Sequence, residues 1–240
     1  MPKNKFYEFK NQTDTSADLY FYGDIADDSW SAWWDDETQY PANVKTLLDE
    51  ANGKDLNIYI NSGGGHVFGG MAIYNMLKRY EGNKTVYVDG LAGSIASVIA
   101  LAGNKIIIPK TAYMMIHKPM SGQYGNASEL RQMADTLDRI EEGIMNVYAE
   151  NLKDGVDIET VKSMVEAETW LTGDQASQYF NVEVSEVEAV ACSSECFNKY
   201  INTPKDLIKK KEQPKEDTKV ENKNNELEIE RAKLILRGNI

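Results

Sequence analysis

The sequence predicts a layered α/β protein, and three stretches carry that prediction. Leu56-Asn57-Ile58-Tyr59-Ile60 reads as a buried strand. It runs through the turn Asn61-Ser62-Gly63-Gly64-Gly65-His66 into a helix covering roughly Phe68 to Tyr80. Next, the strand pattern Thr85-Val86-Tyr87-Val88 breaks at the small residues Gly90 to Ser94, and a helix pattern from Ile95 to Ala102 follows. That helix is apolar on all sides, as a buried helix must be. Third, Lys105 to Pro109 and Ala112 to Ile116 are two more strand runs in succession. Strand, strand, helix thus repeats along the chain, which implies an α/β core whose strand ends carry the site.

The remaining elements follow from local signals. Leu19-Tyr20-Phe21-Tyr22 is a short strand ending at Gly23-Asp24. The stretch Ser29 to Glu37 holds Trp30, Trp33 and Trp34 among acids, a loop whose indoles either fold onto the core or are covered by another subunit or a peptide. Pro41 to Ala51 gives a helical pattern through Val44, Leu47 and Leu48, with proline near its start. Gly103 suits the stop of the apolar helix. Asn126 followed by Glu129 has capping-box spacing and opens a long amphipathic helix to about Asn151, with Leu130, Met133, Leu137, Ile140, Ile144, Val147 and Tyr148 on one stripe. A helix this long, with so many charges between its apolar positions, is expected to project from the core and pack on another helix. Asp157 starts a shorter helix through Val161 and Met164. Trp170-Leu171-Thr172, a helical turn from Asp174 to Phe180 and Val182 to Val187 complete the ordered pattern.

Composition bounds the function classes. At 240 residues with 42% apolar content, the chain suits one domain and a tail. The net charge of −12 argues against a nucleic-acid or anionic-membrane surface. Residues 201–240 hold ten Lys/Arg against eight Asp/Glu, so the body is the acidic part. Cys192 and Cys196 have no second pair to complete a zinc site. Neither a signal-peptide apolar region nor a spanning apolar run is read, and a protein of the cytoplasm is expected. No metal or cofactor is expected either. The expected organisation is an N-terminal segment at 1–17, a domain at 18–190 and a flexible charged tail at 191–240, because Lys209 to Asn225 has too little apolar surface to offset ordering entropy. Glu226 to Leu236 recovers an apolar spacing consistent with a short docking helix.

Two strand ends offer chemistry. Ser94 sits where a strand turns into a helix, with an exposed hydroxyl and free helical N–H groups beside it. The same position suits a plain helix cap. His117, one of two histidines, ends a buried strand ahead of Lys118-Pro119, and a neutral imidazole within reach of a serine acts as its base. His66, after three glycines, is the weaker candidate. The glycine turn before it lacks the endings of a P-loop or a dinucleotide fingerprint, which leaves its N–H groups for an oxyanion or a substrate backbone. The order serine, histidine, acid and the absence of a Gly-x-Ser-x-Gly elbow disfavour the chymotrypsin, subtilisin and α/β-hydrolase arrangements.

Five segments, in order, resemble one family. They are Tyr20-Phe21-Tyr22-Gly23-Asp24-Ile25; Ile60-Asn61-Ser62-Gly63-Gly64-Gly65 with Gly70-Met71-Ala72-Ile73-Tyr74; Gly90-Leu91-Ala92-Gly93-Ser94-Ile95-Ala96-Ser97; Met115-Ile116-His117-Lys118-Pro119; and Glu168-Thr169-Trp170-Leu171-Thr172. Over residues 18 to 188 the chain resembles the ClpP-like serine peptidases of the ClpP/crotonase fold, especially their tailed-phage head-maturation branch. The resemblance implies a spiral of β-β-α units with the helix from 126 to 151 as a projecting handle through which subunits form a homo-oligomeric ring. It makes Ser94 the nucleophile and His117 the base. The family's acid, usually Asp, falls at Glu168, one methylene longer, with Glu166 as a substitute. The oxyanion donors implied are the N–H groups of Ile95 and Gly64, with Gly65 adjacent. Gly63 stands where the family often has Pro, which loosens an edge that would take the substrate as an added strand.

The function implied is a serine endopeptidase processing a capsid or scaffold protein in the host cytoplasm or procapsid interior, the tail itself being removable by self-cleavage. Three rivals are a cellular-style Clp peptidase fed by a AAA+ ATPase, a crotonase-type acyl-CoA enzyme, and an inactive assembly or scaffolding protein that keeps the fold.

Overall fold

A computed structural model of the chain describes residues 12–26, 41–186, 197 and 199–204. The chain divides into a unit at 1–208 and a second at 209–240, and the second lies outside the described residues. So do the tryptophan-rich stretch, both cysteines and the expected terminal helix.

Among the described residues seven strands form one sheet. β1 (Ser16–Tyr22), β2 (Asp55–Ser62), β3 (Lys84–Gly93), β4 (Lys105–Pro109) and β7 (Glu183–Ser185) lie side by side, all parallel. β5 (Tyr113–Ile116) pairs parallel with the far end of β3 and antiparallel with β6 (Thr169–Thr172). The helices α1 (Pro41–Ala51), α2 (Val67–Arg79) and α3 (Ile95–Ala100) each follow a strand or precede the next. Parallel neighbours require such crossovers. The mixed α/β architecture with a parallel sheet is the expected fold class. Alternate residues of β1 and β2 are buried, among them Leu19, Phe21, Leu56, Ile58 and Ile60. On the other face Tyr20, Tyr59 and Tyr87 stack in register across three strands, with ring centroids 4.6 and 5.1 Å apart.

One difference from the sequence reading shapes the site. The strand expected to end at Val88 continues to Gly93. Val86 and Tyr87 pair with β4, while Leu91 to Gly93 pair with β5, so β3 changes partner along its length. Its register with β2 also shifts between Ile60 and Ser62, and there the buried Asn61 side chain accepts from Leu91 N–H at 3.2 Å. That bond replaces a ladder bond lost at the irregularity.

α4 (Ala127–Glu150) begins with the expected capping box: Asn126 accepts from the N–H groups of Ser128 and Glu129, and Glu129 accepts from Asn126 N–H at 2.8 Å. Its buried residues are Ile144, Val147 and Tyr148, all in the second half, and Leu130 in the first half is 46% exposed. α5 (Ile158–Glu166) starts on an Asp157 cap, and α6 (Gly173–Tyr179) packs beside β6 and β7.

Of the expected tail at 191–240 only residues 197 and 199–204 are described, and there Phe197 and Tyr200 are buried. They form a second, smaller apolar cluster with Leu91 and Met115, flanked by Tyr113 and Trp170. Two aromatic side chains suffice to hold a short polar stretch against the domain, since each buries a large area.

Candidate active site

Ser94 lies between β3 and α3 with φ 51° and ψ −126°, a conformation that non-glycine residues rarely hold. The surrounding structure pins it. Ser94 N–H donates to Met115 O at 2.8 Å, and Ser94 O accepts from the hydroxyl of Ser97 at 2.6 Å. With its proton committed there, Ser97 Oγ must accept from Tyr148 OH, 2.8 Å away, in the buried interior. The hydroxyl of Ser94 makes no capping bond to α3, so the helix-cap reading fails for its side chain. The positive φ instead turns Oγ toward His117.

His117 follows β5 directly, and the pairing of Gly93 with Met115 brings the two strand ends level. The imidazole Nε2 stands 2.7 Å from Ser94 Oγ. Burial lowers the His117 pKa below its ordinary value, and the nearby Glu168 charge opposes that shift. A neutral imidazole at hydrogen-bond distance from a hydroxyl can take its proton, which is the first step of covalent catalysis by serine.

The structure brings Glu168 to this site and leaves Glu166 outside it. Glu168 is 8% exposed and occupies a left-handed turn, φ 50°, between α5 and β6. Its carboxylate accepts from Ile201 N–H at 2.8 Å and Asn202 N–H at 2.5 Å. Among the described residues no hydrogen bond joins it to the imidazole, and its influence there is electrostatic. Glu166 has a side chain 73% exposed and faces Lys118 at 3.9 Å.

The glycine loop comes close on the other side. Gly64 has φ 103°, and a Cβ there would lie 2.6 Å from Ser94 Cβ and 2.8 Å from Gly93 O, so only glycine lets the loop approach the serine. Its N–H donates to Ser62 Oγ at 3.1 Å, and its carbonyl accepts from Ile25 N–H at 2.7 Å. Ile25 then accepts from His66 N–H at 2.7 Å, forming a parallel bridge opposite Gly65. That bridge uses the groups flanking Gly65, so the N–H of Gly65 itself points away from Ile25, and Gly65 lines the cleft shared with Ser94. Ile95 opens α3, where helical N–H groups have no partner within the helix. His66 caps α2, its Nδ1 accepting from Gly69 N–H at 3.4 Å.

The cleft has a volume of about 660 Å³ and runs from Ile25 and Gly65 past Ser94 and His117 to Met120, Lys199 and Tyr200. Beside it is a pocket of about 10 Å³, lined by Val67, Ile95, Val98, Ile144 and Tyr148 together with Ser94 and His117. Among the described residues no group of three or more His, Cys, Asp or Glu could hold a metal ion, and no helix is long and apolar enough to cross a membrane. Sequence reasoning missed Ser62, whose hydroxyl engages Gly64, and Tyr200. The only signal for Tyr200 was the aromatic pair Phe197 and Tyr200 in a stretch rich in polar residues.

The family model for Clp protease matches residues 34–183, more than half of the chain. The chain belongs to the Clp protease family. It is a Clp-type serine peptidase, a hydrolase. The ATP-dependent Clp protease proteolytic subunit of Bacteroides fragilis is 31% identical over 150 residues, covering 60% of this chain and 71% of that protein. Subunits of the same name from Porphyromonas gingivalis and Ligilactobacillus salivarius are 32% identical over 148 residues and 35% identical over 129. They cover 58% and 52% of the chain and 65% and 64% of those proteins.

Proposed function

We propose that the chain is a serine endopeptidase in which Ser94 attacks the scissile carbonyl, His117 takes and returns the proton, and Glu168 supplies the negative charge that supports the imidazolium. The observation that carries this reading is the 2.7 Å approach of His117 Nε2 to Ser94 Oγ, made by a serine in a strained backbone conformation. Ile95 N–H and Gly65 N–H are the oxyanion donors in this reading. Gly64, whose N–H is already engaged by Ser62, shapes the loop. The exposed half of α4 is the surface for association into a ring.

The substrate we propose is a capsid or scaffold protein processed during phage head assembly. Its support is the resemblance of the five motifs to the head-maturation branch, together with a stretch of more than fifty residues beyond the matched region. The test is labelling of the full chain with a serine-reactive phosphonate. The wild type labels and Ser94→Ala does not; equal labelling of both overturns the nucleophile. Co-expression with a capsid protein then gives new termini by mass spectrometry, with none from Ser94→Ala. The names of these relatives favour a second reading, a proteolytic subunit fed by an ATPase. Cleavage of a folded protein only when a AAA+ partner and ATP are present supports it. Capsid protein bound but never cut supports an assembly role without catalysis.

A further inference from the structure

The arm at 199–204 lies beyond residue 183, where the family match ends, yet it contacts the glycine loop, His117 and the Glu168 turn. The ring of Tyr200 meets the His117 imidazole edge-on, with centroids 4.9 Å apart, and its hydroxyl donates to Gly63 O at 2.5 Å in a buried position. The next two backbone N–H groups, of Ile201 and Asn202, hold the two oxygens of Glu168. The Asn202 side chain donates to Ala167 O at 2.9 Å and Glu168 O at 3.1 Å, bracing the left-handed turn that presents the carboxylate. One short segment therefore fixes the glycine loop, the imidazole and the acidic turn together.

We propose that this arm is an integral part of the active site and that Tyr200 is a positioning residue: its ring closes one side of the His117 imidazole while its hydroxyl anchors the arm to the glycine loop. The proposal rests on the reading of Ser94 and His117 as the reacting pair. An imidazole shielded by an aromatic ring is kept from water on that side, in keeping with the burial that lowers its pKa. The other charges around it are Glu168 from the α5–β6 turn, Lys118 beside it with its partners Glu141 and Glu166, and Lys199 and Asp24 along the cleft. With the ring removed, Phe197 and the bonds from Ile201 and Asn202 still hold the arm and Glu168 in place, water reaches the imidazole, and it should titrate higher.

The experiment follows the two imidazoles of the full-length chain by long-range proton–nitrogen NMR across pH, with His66→Gln to assign them. In Tyr200→Ala the His117 midpoint is expected to rise toward the ordinary imidazole value, and phosphonate labelling at pH 8 to slow roughly ten- to hundredfold. Tyr200→Phe keeps the ring and should keep the wild-type midpoint while labelling more slowly. A wild-type midpoint in Tyr200→Ala overturns the proposal. Should that variant fail to fold, the wild type still decides: nuclear Overhauser contacts between the Tyr200 ring and His117 are expected, and their absence overturns it too. A shifted midpoint in a protein that never labels would sink the peptidase reading and leave the arm standing.

Discussion

Replacing Glu168 by glutamine tests the most exposed link in the proposed chemistry. The substitution keeps shape and removes a buried charge. In the wild type both carboxylate oxygens accept from backbone N–H groups, of Ile201 at 2.8 Å and Asn202 at 2.5 Å. Hydrogen bonds to a charged acceptor are worth about 1.5–3 kcal/mol each, and neutral ones about 0.5–1.5. Glutamine retains one of the two as a neutral bond and sets an NH₂ donor against the other N–H. The expected loss is therefore about 2–4 kcal/mol, or roughly 4–16 °C in melting temperature at 2–4 °C per kcal/mol for a domain of this size. The effect on reaction has a different source. A unit charge at the ~4–6 Å over which a neighbour shifts an imidazole, at an effective dielectric of about 20, contributes about 3–4 kcal/mol to the imidazolium. Phosphonate labelling of Ser94 should then slow by about 10²–10³. Glu168→Asp keeps the charge and should recover part of the rate. Glu166→Gln removes only an exposed partner of Lys118, worth no more than about 1 kcal/mol. Full labelling by Glu168→Gln, or loss of labelling in Glu166→Gln, would refute the assignment of the acid.

Two further outcomes follow from the same geometry. Gly64→Ala places a methyl group 2.6 Å from Ser94 Cβ at a backbone φ of 103°, so beyond the ~1–3 kcal/mol of conformational strain the loop must retreat from the serine; labelling should fall by about a hundredfold or more, and an unchanged rate would show that the loop does not pack on Ser94. Because the fold lowers the His117 pKa, the native state prefers the neutral ring; its stabilising contribution is complete above the unfolded value near 6.5 and is lost as pH falls below that toward the folded value. Urea midpoints of wild type and His117→Gln should converge on acidification from pH 7.5, and a constant difference between them would contradict the buried neutral imidazole.

What could be read from the residues was whatever local chemistry decides. The α4 capping box needs only Asn126 and Glu129 at their spacing, and α1 and α2 needed only a proline, a glycine turn and a helical stripe. β3 was read too short because Gly90, Ala92 and Gly93 carry no strand propensity. They are held extended by pairing with β5 and by the Asn61 side chain, both of which are contacts between distant parts of the chain. The arm escaped for a related reason, since a stretch of polar residues with two aromatics looks disordered until the surface that buries Phe197 and Tyr200 is known.

Two non-glycine residues at the site, Ser94 and Glu168, have positive φ. Each conformation is disfavoured by itself and is held by bonds from elsewhere: Ser94 by Met115 and by Ser97 backed by Tyr148, Glu168 by Asn202 and Ile201. No propensity scale anticipates either, because the energy that holds them belongs to the assembled fold. The strain on Ser94 is met from inside the core, so it should survive changes at the surface. That on Glu168 is met by an arm anchored through two aromatic side chains. Loss of the Ile201 and Asn202 bonds is therefore expected to uncouple the acid and the imidazole while Ser94 keeps its place.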